Sequence, residues 1–180
     1  MNLQDIENLY LKRQSCRSYA DTVVPEKLVR EICRVALLAP SAVNAQPWQL
    51  IAVSGDKAAE VATCVQRLGM NKFAAKVSTF VVVAEGKGNL MMKIGSIFKE
   101  NEFIKNDLGI LTAHLVLAAE AAGLSSCIIG WRDEEKLRTL LGLDKNVRIP
   151  IVVALGYPEE GYSILKKKRK PLDEVFTLIK

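Results

Sequence analysis

The sequence is short of the residues on which most side-chain catalysis depends. Its 180 residues include one histidine, His114, and four cysteines, Cys16, Cys33, Cys64 and Cys127. No two cysteines form a CxxC pair, which excludes a zinc ribbon and a thioredoxin-type redox pair. Four buried, reduced thiols are expected instead. His114 lies within an apolar stretch and is expected in a core or interface rather than as a general base. The absence of a GxSxG elbow leaves hydrolase chemistry of the Ser-His-Asp kind without support. The absence of GxxxxGKS or GxxxxGKT excludes P-loop nucleotide hydrolysis. No apolar run approaches the ~18 residues of a membrane span; the longest strong one is Phe80 to Ala84. Residues Met1 to Glu7 carry the acidic Asp5 and Glu7 where a secretory leader is basic and then apolar, so no membrane association and a cytoplasmic location are expected. The net charge of +5 traces to the run Lys166-Lys167-Lys168-Arg169-Lys170, without which basic and acidic residues balance at 20 each. A local patch of this kind suits a compact anion. Nucleic acid is not expected, because only Tyr162 and Phe176 lie near the run as stacking platforms.

What is present is an ordinary globular balance, 49% hydrophobic and 25% charged, sufficient for one domain over residues 1–180. Apolar spacing predicts a helix from Leu3 to Arg13, an extended loop over 14–24, and a helix after Pro25 that Pro40 stops. Strands are predicted at Trp48–Ser54, Val77–Ala84, Ser125–Ile129 and Val147–Leu155. Further helices are predicted over Lys57–Leu68, Ile104–Ala122 and, capped by Asp133, up to Leu141. The Ile104–Ala122 helix is apolar on nearly every side, which places it in the middle of something, with a subunit interface the natural position. The class is α+β, with a single central mixed sheet and helices on both faces. Gly86-Lys87-Gly88 follows a strand, but Met91 stands where a dinucleotide fingerprint needs its third glycine, so an ordinary loop is expected.

Two segments carry chemistry. Arg13-Gln14-Ser15-Cys16-Arg17 offers two guanidinium groups four residues apart with a hydroxyl between them, a donor set that matches phosphate oxygens. With the basic run at 166–170 it supplies two sources of positive charge for one phosphate. Pro40-Ser41-Ala42-Val43-Asn44-Ala45-Gln46-Pro47-Trp48 is a proline-stiffened loop that presents Ser41, Asn44 and Gln46, with Ala42 leaving room for a flat ligand.

These segments resemble the nitroreductase family of flavin enzymes. Arg13, Ser15 and Arg17 match its R-x-S-x-R pattern, and Pro40, Ser41, Asn44, Gln46, Pro47 and Trp48 match its P-S-x-x-N-x-Q-P-W signature. The run Gly123 to Trp131, the helix ending Leu140-Leu141-Gly142-Leu143, the strand closing Leu155-Gly156-Tyr157-Pro158, and Lys167-x-Arg169-x-Pro171-Leu172 follow in family order. The resemblance implies a nitroreductase-like, homodimeric fold. It implies that Arg13, Ser15, Arg17, Lys167 and Arg169 hold the phosphate and ribityl chain of FMN, with Gln14 where a second basic residue is common. It implies that Pro40, Ser41, Ala42 and Asn44 of the second subunit line the isoalloxazine ring. Asn71 would add a polar ring contact, and Ile129 and Gly130 would approach N5 through backbone groups. The implied activity passes hydride from NADH or NADPH to flavin N5, then electrons to a small acceptor such as a nitroaromatic or quinone, by a ping-pong mechanism. No side chain of this sequence is an obligatory catalyst, and no metal is implied. The alternative is a flavin-binding protein for sensing, storage or electron shuttling.

Overall fold

A computed structural model describes residues 2–86 and 100–180 of the chain. Lys87 and Gly88 of the glycine turn, and most of the unpatterned stretch 85–104, lie outside the described residues. The helices are α1 (Leu3–Lys12), α2 (Glu26–Ala36), α3 (Asp56–Val65), α4 (Glu100–Ala121), α5 (Glu134–Leu141) and α6 (Leu172–Val175). The strands are β1 (Trp48–Ser54), β2 (Thr79–Glu85), β3 (Ser125–Ile129) and β4 (Ile151–Gly156).

The strands form one sheet in the order β1-β2-β4-β3, and each neighbouring pair is antiparallel. The sheet is therefore not mixed as expected. A helix between two strands usually returns the chain for parallel pairing. Here the turns at 67–69 and 72–76 follow α3 and carry the chain back, so that β2 begins beside the end of β1, with Thr79 opposite Ser54. The one parallel contact among the described residues is an isolated bridge between Ser15 and Ser126.

Period-two alternation divides the core. Phe80, Val82 and Ala84 of β2, with Val152 and Ala154 of β4, face Val61, Val65 and Leu137 of α3 and α5. Val81, Val83, Val153 and Leu155 face the other way, onto Val29 and Ile32 of α2 and Leu108, Leu111 and Leu115 of α4. Both faces are thus covered by helices, and β2 and β4 read as continuous apolar runs because neither face meets water.

Local chemistry sets the element ends. Asn2 and Asp5 form a reciprocal capping box on α1, with N–H···O distances of 2.7 and 3.0 Å. Asp133 caps α5 by accepting the Lys136 N–H at 3.1 Å, and Gly142 at φ +63° ends it. α3 stops at Val65, before the predicted Leu68, because Asn71 Nδ2 donates to the Val65 carbonyl at 3.0 Å and Leu68 turns to φ +56°. β4 begins at Ile151 and not at Val147, since Pro150 has no N–H for the ladder.

Burial corrects one further expectation and narrows another. Cys16, Cys64 and Cys127 are buried, but Cys33 is only half-buried; all four are free thiols. His114 is exposed in this chain, its Nδ1 2.9 Å from the Ile110 carbonyl, so it is not a core histidine. α4 buries Leu108, Leu111, Leu115 and Ala119 but leaves Phe103 and Ile110 exposed on its outer side.

Tyr19 lies against Gly156. A Cβ at Gly156 would stand 2.8 Å from Tyr19 Cδ1, and the tyrosine is fully enclosed. Gly156→Ala is expected to lower stability by about 1–3 kcal/mol, the usual cost of overpacking, measured as a fall in the urea midpoint. A midpoint matching the unmodified chain would show that Tyr19 can move aside.

Candidate functional site

The site begins with how residues 13–19 are held. Cys16 N–H donates to the Ser126 carbonyl at 2.9 Å and Ala20 N–H to the Tyr157 carbonyl at 2.9 Å, laying the segment along the ends of β3 and β4. Tyr19 adds its ring, 6.3 Å from that of Phe73. Burial pushes the Tyr19 phenol pKa far up, and the neighbouring Cys16 thiol adds to the rise.

The C-terminal segment then stitches onto residues 13–17. Gln14 Nε2 donates to the Ser163 carbonyl at 2.9 Å, and its Oε1 accepts the Leu165 N–H at 3.0 Å. Tyr162 Oη accepts the Arg17 N–H at 3.3 Å and donates to the Ser15 carbonyl at 3.4 Å. Lys167 Nζ donates to the Arg13 carbonyl at 2.8 Å. Gln14 thus holds the tail with both ends of its amide, and that amide is committed to backbone.

These contacts bring Arg13, Lys167 and Arg169 to the wall of one cavity of about 670 Å³, within the range of small-ligand sites. Its other walls include Tyr10 of α1, Gly109, Ala113 and Val116 of α4, and Ile128 of β3. Burial, and then the charges of Arg13 and Arg169, hold the Lys167 ammonium pKa below its ordinary value, while Glu120 acts the other way. Burial raises the Glu120 carboxyl pKa, and Lys12, Arg13 and Lys167 oppose the rise. A concave, cationic pocket with an apolar floor is chemically a site for an anionic headgroup attached to an apolar body.

Ser15 and Arg17 sit beside this wall and not in it. Burial raises the Cys127 thiol pKa, while the Arg17 charge and a hydrogen bond involving Ser15 lower it. Ile129 is buried in the core, leaving only its backbone for a ligand, whereas Gly130 is exposed with open space where a Cβ would stand. Ile151 begins β4 one residue before Val152, the partner of Ile129, and it also lines the cavity. The Gly130 end of β3 therefore lies at the same end of the sheet as that wall. Asn71, at φ +52°, ends α3, and the nearby Arg67 carbonyl accepts Trp131 Nε1–H at 2.8 Å.

The Pro40–Trp48 loop docks elsewhere. Ala42 N–H donates to the Asp107 carboxylate at 3.1 Å, Ser41 Oγ accepts the Gln46 N–H at 2.9 Å, and Asn44 Oδ1 accepts from Gln46 Nε2 at 3.1 Å. No residue of 40–47 lines the cationic cavity of the same chain. Val43, Asn44 and Gln46 all have positive φ, and for the β-branched Val43 this is costly backbone of the sort that collects at functional sites.

Sequence reasoning missed Ile128 and Gly109. Ile128 could have been found from alternation, since it lies between buried Cys127 and Ile129. Gly109 sits mid-helix with nothing within 4 Å of its missing Cβ, and a glycine without a packing reason inside a long helix was the available signal. Among the described residues no group of three or more His, Cys, Asp or Glu could hold a metal ion, and no helix there is long and apolar enough to cross a membrane.

Comparison with known proteins now bears on this geometry. The sequence profile of the Nitroreductase family matches residues 10–93 and 80–157. A protein from Thermus thermophilus named NADH dehydrogenase is 34% identical over 196 aligned positions, spanning 95% of this chain and 94% of its own. The crystal structure of a nitroreductase family protein from Streptococcus pneumoniae superposes with a TM-score of 0.84 at 22% identity, over 97% of this chain and all of the other. The FMN-dependent nitroreductase of Mycobacterium smegmatis, crystallised with NADPH, superposes at 0.78 with 19% identity, over 98% of this chain and 99% of its own. The cationic cavity and the sheet beneath it thus occur in a chain that belongs to the nitroreductase family.

Proposed function

We propose that this chain is an FMN-dependent oxidoreductase that uses NADH or NADPH to reduce a small acceptor such as a nitroaromatic or quinone. The observation that carries the reading is the convergence of Arg13, Lys167 and Arg169 on one apolar-floored cavity. Like charges gathered at a partly buried site are stable when an anion joins them, and phosphate fits the arginine fork. Gly109 and Gly130, both open where a Cβ would be, leave backbone free for close approach by a flat ring.

When bound, FMN supplies the two-electron chemistry that this histidine-poor chain lacks. Arg13, Lys167 and Arg169 would hold the phosphate, and Ser15 and Arg17 would flank the ribityl side. Tyr10, Ala113, Val116 and Ile128 keep water from the apolar part of the cavity. The backbone at Ile129 and Gly130 would meet the ring edge. Reduction of the acceptor would also need a proton, which solvent would supply, so no side-chain acid or base is assigned to it.

A second copy of the chain completes the site in this reading. Leu3, Tyr10 and Leu11 of α1, Phe103 and Ile110 of α4, and Phe176, Leu178 and Ile179 of the tail are all exposed, Ile179 by 90%. Apolar surface on that scale is uncommon on a monomer. A homodimer covers it and brings the partner subunit's loop, with its Pro40, Ser41, Ala42 and Asn44 turned toward the ring. The basic run is divided by position: Lys167 and Arg169 line the cavity, while Lys166, Lys168 and Lys170 do not.

The purified protein is expected to show the two-band visible spectrum of oxidised flavin, to release FMN on heating, and to bleach anaerobically with NAD(P)H. A flavin that no nicotinamide reduces would point to storage or sensing. Replacing Lys167 and Arg169 together with alanine should weaken FMN binding by about a hundredfold or more, at about tenfold for each charge-assisted contact, with the circular dichroism unchanged. A double variant that stays yellow through dialysis would refute the phosphate assignment.

Gln14→Ala removes both amide clamps on the tail. Trypsin should then cut within Lys166–Lys170 several times faster than in the unmodified chain, read by intact mass, with added FMN slowing the cut in both. Equal cleavage rates would show that the clamp is idle.

A further inference from the structure

Three arginines converge on one carboxylate beside the end of β3. Glu134 Oε1 accepts from Arg138 Nη1 at 3.0 Å and from the Ile149 N–H at 2.9 Å, with Arg148 Nε 3.7 Å away. Glu134 Oε2 pairs with Arg132 Nη2 at 3.3 Å. The Arg132 and Glu134 side chains are only 18% and 23% exposed, so this network differs from a surface pair screened by water. Burial draws the Arg132 guanidinium pKa below its ordinary value, and Glu134 opposes the shift.

Arg132 commits all three of its nitrogens to the protein. Nε donates to the Ile149 carbonyl, Nη2 to Glu134, and Nη1 to the Gly130 carbonyl at 2.5 Å. One N–H on each nitrogen is engaged in this way, and two of the three acceptors are backbone carbonyls, so Arg132 is tied to the backbone around Gly130. α5 has its own supports in the Asp133 cap, buried Leu137 and the Gly142 stop. The peptide after Gly130 has fewer, because Gly130 is exposed, has no side chain and meets nothing within 4 Å on its Cβ side. A charge-assisted bond to its carbonyl fixes a peptide that glycine would otherwise leave free. Trp131 Nε1, bonded to the Arg67 carbonyl, fixes the other side.

We propose that Arg132, anchored by Glu134, is a positioning residue for the flavin: it sets the Gly130–Trp131 peptide and so the backbone that residues 129–131 present to the ring. The inference rests on the FMN reading above. Preset backbone groups act on a cofactor without reorganising when it binds or changes redox state. The fork matters as well as the charge, because one guanidinium must reach Ile149, Gly130 and Glu134 together.

The test uses Arg132→Lys, Arg132→Gln and Glu134→Gln in the full chain. FMN affinity is read by flavin fluorescence, midpoint potential by dye equilibration, and folding by thermal melt. Arg132→Gln is expected to weaken FMN binding about tenfold and to shift the potential. Arg132→Lys should fail to rescue either property, and Glu134→Gln should give a smaller change in the same direction. Folded variants that match the unmodified chain in affinity and potential would overturn the proposal while leaving the FMN reading intact. Failure of all three variants to fold would also overturn it, by showing the network to be structural. An unmodified chain that takes up no FMN would remove the flavin reading and this proposal with it.

Discussion

A Cβ at Gly156 would meet the Tyr19 ring at 2.8 Å, so the segment that carries Arg13, Ser15 and Arg17 can lie on the sheet only where β4 has no side chain. The arrangement of the candidate site follows from that contact. With Tyr19 seated, Cys16 and Ala20 bond to Ser126 and Tyr157, and the Gln14 amide comes within reach of a tail 149 residues further along the chain. The tail then carries Lys167 and Arg169 to Arg13. A packing event in the core thus decides where surface charge collects.

The cation cluster opposes itself. Lys167 is depressed by its own burial and by Arg13 and Arg169, and among the groups that act on it only Glu120 pulls the other way. Partial burial strengthens this repulsion relative to bulk water, since the effective dielectric falls. The backbone absorbs part of the strain: Lys167 donates to the Arg13 carbonyl and Arg169 to that of Lys168, which orients the charges without neutralising them. The positive charge kept in this concavity is what the phosphate of the proposed cofactor would neutralise.

Much of this could be read from the sequence where local rules dominate. β1 and β3 begin and end at the predicted residues because alternation and flanking turn residues set them. α5 ends as predicted because Asp133 and Gly142 act within one helical turn. The cationic wall was legible in Arg13, Lys167 and Arg169, since clustered cations stand out in any composition. What escaped depends on distant partners. The early end of α3 needs the Asn71 amide, and the antiparallel order needs the return path through residues 67–78. Gln14 reads as a weakened phosphate contact until its tail partners are seen. Ile128 and Gly109 escaped for a different reason: an apolar residue and a glycine carry no chemical label, and only their position on a strand and a helix exposes them to the cavity.

The chain uses arginine in two opposed ways, and the contrast separates binding groups from positioning groups. Arg13 and Arg169 line the cavity together with Lys167, and the one carboxylate in that lining is Glu7, so the wall keeps a net positive charge. Arg132 is held by a carboxylate and two carbonyls in a semi-enclosed network, and its charge is consumed within the protein. A buried ion pair is poor evidence for stability, because desolvation can cancel the attraction. The network around Glu134 is therefore better understood through what it orients than through what it stabilises. What it orients is a glycine peptide at the end of β3, where backbone freedom is greatest and where precise placement of N–H and C=O groups has most effect on a flat, polar-edged ligand.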